Sequence, residues 1–506
     1  MAEPRKTRLI CPLIASDVES MRVDMSAAVA AGADAVECRL DCLAVPPSEA
    51  QLAHLLVDPP LEVIVTYRSG RQGGRSASAR SQRLETLRLA ARFRPAYVDV
   101  ELTDAPKNWP AAPIIVSHHD LRGRPSDLAG IRAAMAATPA VVHKIAFAAA
   151  GPEDAFAALD LVRSSARPVI ALAMGEAGLA SRVLAAKFGA FGTFAAMEQG
   201  RESAPGQPTL EEFRRLYRWE TLGPSTDVYG VVGCPVGHSL SPAIHNAAFS
   251  AAGMDAVYLP LRVEAGAEGF RRFMDALLAR PWLGWRGLSV TIPHKENALA
   301  YVGADRCEEL ARRIGAINTI AIDPRGACRG FNTDYTAAME ALCAAMGRPR
   351  ADLAGVRVAV LGAGGAARAI VAGLRHCSAE VEIYSRTVSR AESLAREFSC
   401  RSGGMDAVAA STARVVINCT PVGMHPRVDV SPIEQLPAGV EVVFDTIYNP
   451  LRTRLLEGAA ARGAATVSGL EMFVHQGAAQ FELWTQTPAP RDAMRRAALE
   501  KLRAQD

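Results

Sequence analysis

The sequence lacks the features that mark membrane proteins, disulfide-bonded proteins and nucleic-acid-binding proteins. No apolar run approaches the ~18 residues that a membrane-spanning helix needs. The 10 cysteines form neither a Cys-x-x-Cys pair nor a Cys/His cluster with zinc spacing, so we expect reduced thiols and no metal. Lys and Arg number 56 against 53 Asp and Glu, and the net charge of +3 indicates no nucleic-acid partner.

The beginning of the chain and its composition indicate an ordinary globular enzyme. The first eight residues are largely charged and polar, without the apolar core of a signal peptide, and the first strand is predicted to start near Leu9. We therefore predict a cytoplasmic location. A length of 506 residues, with 49% apolar and 22% charged residues, is typical of about three globular domains.

Short apolar runs alternate with Ala-rich helical stretches through residues 1–222. They predict β-strands at 9–14, 35–40, 62–67, 97–101, 114–117, 141–145, 169–173 and 191–194. Eight strands separated by helices favour an N-terminal (β/α)8 barrel in an α/β protein, although a doubly wound open sheet is an alternative on strand counting alone.

Polar side chains lie at or just after the C-terminal ends of these predicted strands. They are Glu37, Arg39, Arg68, His119, Lys144, Arg182 and Ser203. In a barrel, the C-terminal ends of all strands surround one cavity, so we expect these side chains to converge there. Their positions therefore favour the barrel over the open sheet.

Two further domains are predicted after the barrel. Residues 226–334 have the pattern of a mixed α/β domain, which we expect helices at 470–506 to complete. Residues 335–469 alternate strands with helices and contain the glycine loop Gly362-Ala-Gly-Gly-Ala-Ala367, which predicts a Rossmann domain.

A lysine and a histidine of the first half have positions suited to catalysis. Lys144 ends a predicted apolar strand, where a buried ammonium is costly unless its charge is neutralised or used. A desolvated lysine amine is a nucleophile towards ketones, although this ammonium could instead reach solvent past the strand. His119 follows another strand and could be a general base. It could also be a core histidine, and His118 and His143 are competing candidates.

Three arginines also follow predicted strands of the first half. Guanidinium groups bind carboxylates with paired hydrogen bonds, so several of them around one cavity would hold a small anionic substrate. A surface ion pair could explain any one of them but is a poor explanation for all three, Arg39, Arg68 and Arg182.

The first half resembles type I 3-dehydroquinate dehydratase across residues 9–220. The matching motifs are Glu37-Cys-Arg-Leu-Asp41, Tyr67-Arg-Ser-Gly-Arg-Gln-Gly-Gly74, His119-Asp120, Lys144-Ile-Ala, Met174-Gly175 with Ser181-Arg182, and Ser203-Ala-Pro-Gly-Gln207. The resemblance implies that Lys144 forms a Schiff base with the C3 ketone of 3-dehydroquinate. It implies that His119 removes a C2 proton and assists the loss of water. It also implies substrate binding by Glu37, Arg39, Arg68, Arg182, Ser203 and Gln207.

One residue departs from the pattern of that family. The family usually has glutamate before the Gly-Gly pair, and this chain has Gln72. Glutamine keeps the hydrogen-bonding capacity but cannot carry a charge or accept a proton. We therefore predict slower dehydration or a shifted pH optimum rather than an inactive site.

The glycine loop of the second half predicts a dinucleotide site. Because a strand precedes it and a helix follows, backbone N–H groups of Gly362, Ala363, Gly364, Gly365 and Ala366 can face a pyrophosphate. NAD-specific folds place an acidic residue on the ribose after the next strand, where this chain has Ser385-Arg386-Thr387. These residues suit a 2′-phosphate and predict NADP(H), unless Arg386 is merely a surface residue.

Lys295 and Asp334 are a candidate acid–base pair in the second half. Hydride addition to a ketone needs a proton for the forming alkoxide, which a lysine held by a carboxylate can supply. Ser239 and Ser241 lie two residues apart and would face the same way in an extended segment, so both could bind a carboxylate. Either could instead cap the helix that begins at Pro242.

The second half resembles shikimate dehydrogenase across residues 227–500. The matching motifs are Gly237-His-Ser-Leu-Ser-Pro-Ala-Ile-His-Asn246, Ser289-Val-Thr-Ile-Pro-His-Lys295, Gly315-Ala-Ile-Asn-Thr319, Asn332-Thr-Asp334, Asn418-Cys-Thr-Pro-Val-Gly-Met424, Tyr448-Asn-Pro450, and Gly469 with Met472-Phe-Val-His-Gln476. The resemblance implies catalysis by Lys295 and Asp334. It implies substrate contacts for Ser239, Ser241, Thr291, Asn318, Tyr448 and Gln476. It also adds Thr420 and Gly469 to the cofactor site.

Together the two resemblances imply consecutive steps. 3-Dehydroquinate would lose water to give 3-dehydroshikimate, which NADPH would reduce to shikimate. The alternatives are a quinate/shikimate dehydrogenase with an impaired barrel, or a metabolite sensor without turnover. We expect small-molecule partners only, with no nucleic acid and no membrane, and the oligomeric state stays open, a monomer being possible.

Overall fold

The computed structural model describes residues 6–504, which divide into two compact units. The first unit comprises the chain up to Gly237 together with residues 255–285, and the second comprises residues 238–254 and the chain from Arg286 onward. The first unit therefore extends beyond the barrel that the sequence predicts for residues 1–222. Among residues 6–504, no helix is long and apolar enough to cross a membrane.

An eight-stranded parallel barrel forms the main part of the first unit. Its strands are β1 Arg8–Leu13, β2 Ala35–Arg39, β3 Glu62–Thr66, β4 Tyr97–Glu101, β5 Ile114–Asp120, β6 Val142–Ala148, β7 Val169–Met174 and β8 Gly192–Phe194. Each strand from β1 to β6 pairs with the next, and β1 also pairs with β8. The Phe191 N–H donates to the Val169 carbonyl at 2.8 Å and spans the remaining gap. The structure confirms the barrel and excludes the open sheet.

Helices surround the barrel between its strands. They are α1 Val18–Ala31, α2 Glu49–Leu56, α3 Arg80–Ala91, α4 Leu128–Ala136, α5 Pro152–Arg163 and α6 Leu179–Val183. Local sequence sets several of their ends: Asp17 accepts from the Ser20 N–H at 2.8 Å, and Ser48 with Gln51 forms a capping box.

The inner face of the barrel changes from apolar to charged along its axis. Ile10, Ile64, Ile115 and Ile170 pack in one buried cluster. Val142 and Ala146 of β6 belong to the same cluster, and Lys144 lies between them on the same face because side chains alternate along a strand. The prediction that Lys144 ends its strand is wrong. Strands β5 and β6 stay paired as far as Asp120 and Phe147, so Lys144 and His119 both lie within strands.

The chain leaves the barrel through β9 Asp227–Gly233, α7 Ser241–Ala251, β10 Ala256–Arg262 and α8 Ala267–Leu278. Strands β9 and β10 pair in parallel. Helix α8 packs on α5, where the rings of Phe156 and Phe273 lie 6.2 Å apart and Arg280 pairs with Asp160 at 2.8 Å. These contacts place residues 255–285 in the first unit.

The second unit continues with α7 and with the elements β11 Trp285–Val290, α9 Lys295–Val302, α10 Glu309–Ile314, β12 Thr319–Ile322, β13 Cys328–Phe331 and α11 Thr333–Met346. Strand β12 pairs antiparallel with β11 and with β13. The final helices, α15 Gly469–Thr485 and α16 Arg491–Arg503, both pack on α7.

A six-stranded parallel sheet follows, with the order β16-β15-β14-β17-β18-β19. Its elements are β14 Arg357–Leu361, α12 Gly365–His376, β15 Glu380–Tyr384, α13 Val388–Phe398, β16 Arg401–Gly403, β17 Val415–Asn418, β18 Val442–Asp445, α14 Arg454–Ala461 and β19 Ala465–Val467. The strand order reverses between β14 and β17, which is where such sheets bind ligands beyond their carboxyl ends. The predicted Rossmann domain is confirmed.

Candidate active sites

A cavity of roughly 200 Å³ opens at the carboxyl ends of the barrel strands. The structure brings together there every residue that the sequence predicts for the first site. The polar lining residues are Glu37, Arg39, Arg68, Gln72, His119, Lys144, Arg182, Ser203 and Gln207, and Leu172, Met174 and Phe194 are among the apolar ones.

Lys144 is buried between two carboxylates at the base of this cavity. Its Nζ donates to Glu37 Oε1 at 2.8 Å and to Asp99 Oδ2 at 3.2 Å, and it lies 4.3 Å from the centre of the Phe194 ring. Burial by itself would raise the pKa of both carboxyls. For Glu37 the charges of Lys144 and Arg39 outweigh burial and hold the pKa below its usual value, and for Asp99 those of Arg68 and Lys144 do the same. Both acids are therefore anionic near neutral pH.

Asp99 also belongs to a buried network that extends from Lys144 to Arg68. Arg68 donates to Asp99 at 2.9 Å and to Ser117 at 2.7 Å, and the Ser117 hydroxyl donates to Asp99 at 2.5 Å. Sequence reasoning missed Asp99 and the neighbouring Glu101. The segment Tyr97-Val-Asp-Val-Glu101 held the signal, because it places two carboxylates on the same face of a strand.

Arg39 and Arg182 have opposite surroundings. Arg39 donates to both oxygens of Asp41, at 2.9 and 2.8 Å. Arg182 is only 1% exposed, and its Nε has no hydrogen-bond partner among residues 6–504. Burial lowers the pKa of Arg182 to about 10. A buried guanidinium with an unused donor, facing a cavity, fits an anionic ligand group.

Ser203 and Gln207 face the same cavity from one loop. Gln207 Oε1 accepts from the backbone N–H of Ser203 at 3.0 Å and from its hydroxyl at 3.1 Å. The Gln207 Nε2 is buried without a hydrogen-bond partner in the described part of the chain. A second unused donor therefore faces the site.

His119 is oriented by Gln72. Gln72 Oε1 accepts from the His119 backbone N–H at 2.9 Å and lies 3.1 Å from His119 Nδ1. The backbone N–H requires the amide oxygen at this place, so the oxygen also accepts the Nδ1 proton and leaves the Nε2 lone pair free. Burial, followed by the charges of Arg68, Lys144 and Arg39, holds the pKa of His119 well below its usual value. The imidazole is therefore neutral at pH 7 and can accept a proton.

In the second unit, Lys295 and Asp334 form the predicted pair. Lys295 Nζ lies 2.5 Å from Asp334 Oδ2, and Asn318 donates to the other Asp334 oxygen at 2.8 Å. Asn332 caps helix α11 by accepting from the Asp334 N–H at 3.1 Å. The cap explains the Asn-Thr-Asp motif, since it places Asp334 in the first turn facing Lys295.

Sequence reasoning missed a buried glutamine beside this pair. Gln480 donates to the Asn318 carbonyl at 3.2 Å and to the Thr319 hydroxyl at 3.0 Å, and it accepts from Ser289 at 2.7 Å. The glutamine therefore joins α15 to the strands that carry Asn318. It lies four residues after Gln476, one turn further along the same helix, a spacing that could have found it.

The remaining predicted substrate contacts lie on neighbouring elements of the second unit. The Ser239 hydroxyl accepts from the Ser241 N–H at 3.2 Å, just before α7, whose N-cap is Leu240. Thr291 lies one turn before Lys295, and its carbonyl accepts from the His294 N–H at 2.9 Å. Gln476 lies on α15, and the ring of Tyr448 is 5.3 Å from that of Phe473 on the same helix.

The glycine loop has room for a phosphate group. A Cβ placed on Gly364 or Gly365 would meet no heavy atom within 4 Å, and α12 begins here with backbone N–H groups that lack helical partners. Gly362 has φ +105°, and a Cβ there would lie 3.1 Å from Thr420 Cγ2. Thr420 itself donates to Asn418 at 2.7 Å. The loop and Thr420 therefore share the crevice between β14 and β17, and their chemistry fits a dinucleotide.

The predicted 2′-phosphate residues begin immediately beside that loop. Leu361 and Tyr384 are paired in register, so Ser385 follows next to Gly362. The Ser385 hydroxyl accepts from the Thr387 N–H at 3.2 Å, while Arg386 is exposed. Gly469, in contrast to Gly364 and Gly365, has no open space beside it. Its N–H donates to the Ile447 carbonyl, and a Cβ would lie 2.2 Å from the Thr446 oxygen. The glycine here allows close packing of α15.

Protein-family models match the chain in four stretches. They are Type I 3-dehydroquinase at 9–224, Shikimate dehydrogenase substrate binding domain at 231–320, NADP oxidoreductase coenzyme F420-dependent at 357–443 and Shikimate 5'-dehydrogenase C-terminal domain at 469–499. The chloroplastic bifunctional 3-dehydroquinate dehydratase/shikimate dehydrogenase of Arabidopsis thaliana is 37% identical over 509 residues, 96% of this chain and 83% of the relative. This chain belongs to that bifunctional family.

Single-function relatives match the second half of this bifunctional enzyme. The NADP(+) shikimate dehydrogenase of Methanosarcina acetivorans is 44% identical over 288 residues, 55% of this chain and 99% of that protein. A solved shikimate dehydrogenase in complex with NADP+ is 36% identical with a TM-score of 0.50, covering 55% of this chain and 96% of the other. The predicted family, its two enzyme activities and the NADP cofactor are confirmed. Among residues 6–504, no group of three or more His, Cys, Asp or Glu side chains could hold a metal ion.

Proposed function

We propose that Lys144 and His119 carry out the first of the two reactions of this bifunctional enzyme, the dehydration of 3-dehydroquinate to 3-dehydroshikimate. His119 takes a proton from the Lys144 ammonium, and the free amine attacks the C3 ketone. The hydroxyl formed at C3 leaves as water with that proton, which leaves an iminium and a neutral His119. His119 then removes a proton from C2, and the electrons of that bond flow into the iminium. The enamine expels the C1 hydroxyl, which leaves as water with a proton from His119. Hydrolysis of the imine releases the enone and restores the lysine.

The observation that carries this proposal is the buried contact of Lys144 with Glu37 and Asp99, in the same cavity as a neutral His119. The two carboxylates position the amine and offset the charge of the iminium. We assign the substrate carboxylate to Arg182, whose buried guanidinium has an unused donor. We assign hydroxyl contacts to Glu37, Arg39, Arg68, Ser203 and Gln207, which line the cavity.

In the second reaction, 3-dehydroshikimate is reduced to shikimate, and NADPH supplies the hydride when it is bound. We propose that Lys295 delivers the proton to the forming alkoxide and that Asp334 holds Lys295 in place. Asn318 fixes Asp334 through its second oxygen at 2.8 Å. The glycine loop and Thr420 would hold the pyrophosphate, and Ser385, Arg386 and Thr387 the 2′-phosphate. Ser239, Ser241, Thr291, Tyr448 and Gln476 would contact the substrate.

We propose three domains for this chain. We infer a dehydratase barrel at 1–222, a substrate domain at 226–334 with 470–506, and a cofactor domain at 335–469, although residues 255–285 pack with the barrel. A cytoplasmic location stays a prediction, since the Arabidopsis relative is chloroplastic by name. The partners are small molecules, and the oligomeric state stays open, a monomer being possible.

The experiment mixes purified protein with 3-dehydroquinate, with and without NADPH, and identifies the products. We expect enone absorbance without NADPH and shikimate with it. The variant Lys144→Ala should abolish the first product but still reduce added 3-dehydroshikimate, and Lys295→Ala should show the reverse. If Lys144→Ala still formed the enone, or Lys295→Ala kept full reductase activity, the corresponding assignment would be wrong.

A further inference from the structure

The loop that carries Ser203 and Gln207 lies directly on the segment that follows strand β7. The Gly175 N–H donates to the Pro205 carbonyl at 2.9 Å. Gly206 packs so closely that a Cβ on it would lie 2.4 Å from the Gly175 carbonyl and 2.9 Å from the Glu176 nitrogen. The position of this loop over the cavity therefore depends on where residues 175 and 176 lie.

Residues 175–178 are in turn held by the elements that follow the barrel. The Glu176 carboxylate pairs with Arg262 at 3.6 Å, at the carboxyl end of β10. Its other oxygen lies beside Gly237, just after β9. A Cβ placed on that glycine would be 2.8 Å from this oxygen. Strand β10 packs against residues 176–178 and against α6, the helix that carries Arg182. All these residues belong to the first unit.

Strand β10 is buried in the first unit, and the segment that it contacts is a short turn that begins at a glycine. Tyr258 and Leu259 in the middle of β10 are fully buried. Gly175 has φ +93°, a conformation that glycine adopts at little cost. Within the segment itself, the Gly178 N–H donates to the Gly175 carbonyl at 3.0 Å. The Glu176–Arg262 pair therefore adds a link between this turn and a buried strand.

We propose that Arg262 is a positioning residue for the dehydratase. It lies within the stretch that matches the shikimate dehydrogenase substrate binding domain, residues 231–320. Through Glu176 it holds the Gly175–Gly178 turn, and through that turn it holds the loop 203–207 in its place over the barrel cavity. A residue of the reductase half thus sets how well the dehydratase half binds its substrate. The inference rests on the proposed substrate contacts of Ser203 and Gln207.

The test measures dehydratase kcat and KM in the full-length chain for Arg262→Gln, Glu176→Gln and the double variant. Loss of a half-exposed ion pair should raise KM by about two- to fivefold. It should leave kcat unchanged, because Lys144 and His119 lie on β6 and β5, away from the turn. The KM of the double variant should equal that of either single variant. Arg262→Lys keeps the positive charge and should retain most of the affinity.

Arg280→Gln is the matched control. It removes another ion pair between the same segment and the barrel, that of Arg280 with Asp160, but on α5 and not at the turn. We expect it to leave the dehydratase KM unchanged, and we expect all variants to keep their reductase kinetics. An equal rise in KM for Arg280→Gln, an additive double variant, or an unchanged KM for Arg262→Gln would overturn the proposal.

Ser203→Ala separates this inference from the assignment on which it rests. If Ser203→Ala raises KM and Arg262→Gln does not, the link is wrong and the substrate contact stands. If Ser203→Ala leaves KM unchanged, the proposed contact of Ser203 is wrong, and a rise in KM for Arg262→Gln alone would overturn the route through the loop 203–207.

Discussion

Replacing Gln72 by glutamate puts a carboxylate beside His119 without changing the size of the side chain. The amide oxygen now accepts from the His119 backbone N–H and lies 3.1 Å from Nδ1, while its nitrogen donates to Thr103 at 3.1 Å. A glutamate can keep these contacts, because the Thr103 hydroxyl can donate instead of accept. Gln72→Glu therefore changes charge rather than shape.

The added charge should raise the pKa of His119. Two opposite unit charges ~3 Å apart attract by roughly 5 kcal/mol at an effective dielectric constant of 20. Burying the new carboxylate, at a position that is 7% exposed, offsets part of this. Opposite charges at such distances shift pKa values by about one to three units, and we expect the lower half of that range, roughly 1.4–2.7 kcal/mol.

The sign of the pH effect follows from the proposed role of His119 as a base. Burial and nearby cations hold its pKa well below the usual value, so the neutral base persists into acid. We expect the acid limb of dehydratase kcat/KM to lie below pH ~6.5 in this enzyme and to move up by about one to two units in Gln72→Glu. At pH 8 the stronger base should increase kcat by roughly two- to fivefold.

The assay follows enone absorbance between pH 4.5 and 9, with the reductase activity of the same samples as a folding control. Gln72→Met is the matched control, since it has a similar length and removes the acceptor without adding charge. It should lower kcat and leave the acid limb in place. An unchanged rate and pH profile for Gln72→Glu would refute the interpretation of this position.

Three further outcomes are expected. Lys144→Ala leaves two buried carboxylates without their ammonium. Besides abolishing dehydration, it should therefore destabilise the barrel by about 3–5 kcal/mol, measured by urea unfolding. An undiminished stability would contradict the buried ion pair. Arg386→Ala removes the proposed charge-assisted contact to the 2′-phosphate and should raise KM for NADPH by roughly 10- to 100-fold with little change for NADH. A parallel change for both cofactors would contradict the assignment. Burial lowers the pKa of His245 to about 3. Below pH ~6.5 this histidine is therefore protonated in the unfolded chain but neutral in the folded chain, so stability falls as the pH falls. His245→Gln should therefore lose about 2 kcal/mol less stability than the parent between pH 7 and pH 5, and an identical loss would show that His245 titrates normally.

Some of the architecture could be predicted from local pattern. The alternation of strands and helices predicts the barrel and the Rossmann sheet. Hydrophobic periodicity and glycine turns depend on a few neighbouring residues, so the sequence alone reveals them. Strand ends depend on pairing with neighbouring strands. The sequence pattern places Lys144 at the end of its strand, whereas pairing between β5 and β6 extends that strand by several residues.

Which side chains meet could not be predicted from spacing. Lys144 and Glu37 contact each other across 107 residues of sequence, and Gln72 meets His119 across 47. The sequence places Asp99 on a predicted strand, but only the tertiary structure shows that it lies between Arg68 and Lys144.

The sequence by itself determined the chemistry that is available: a lysine and a histidine on barrel strands, a lysine–aspartate pair, and a glycine loop followed by an arginine. Side-chain type and local backbone propensity are properties of short segments, so they can be inferred from one chain. Tertiary structure decided the protonation and the geometry. The choice of His119 over His118 depends on which face of β5 points into the barrel, where Ile115 also lies. The charge states of Glu37, Asp99 and His119 depend on burial and on cations brought from other strands, because electrostatic energy depends on distance through space and not along the chain.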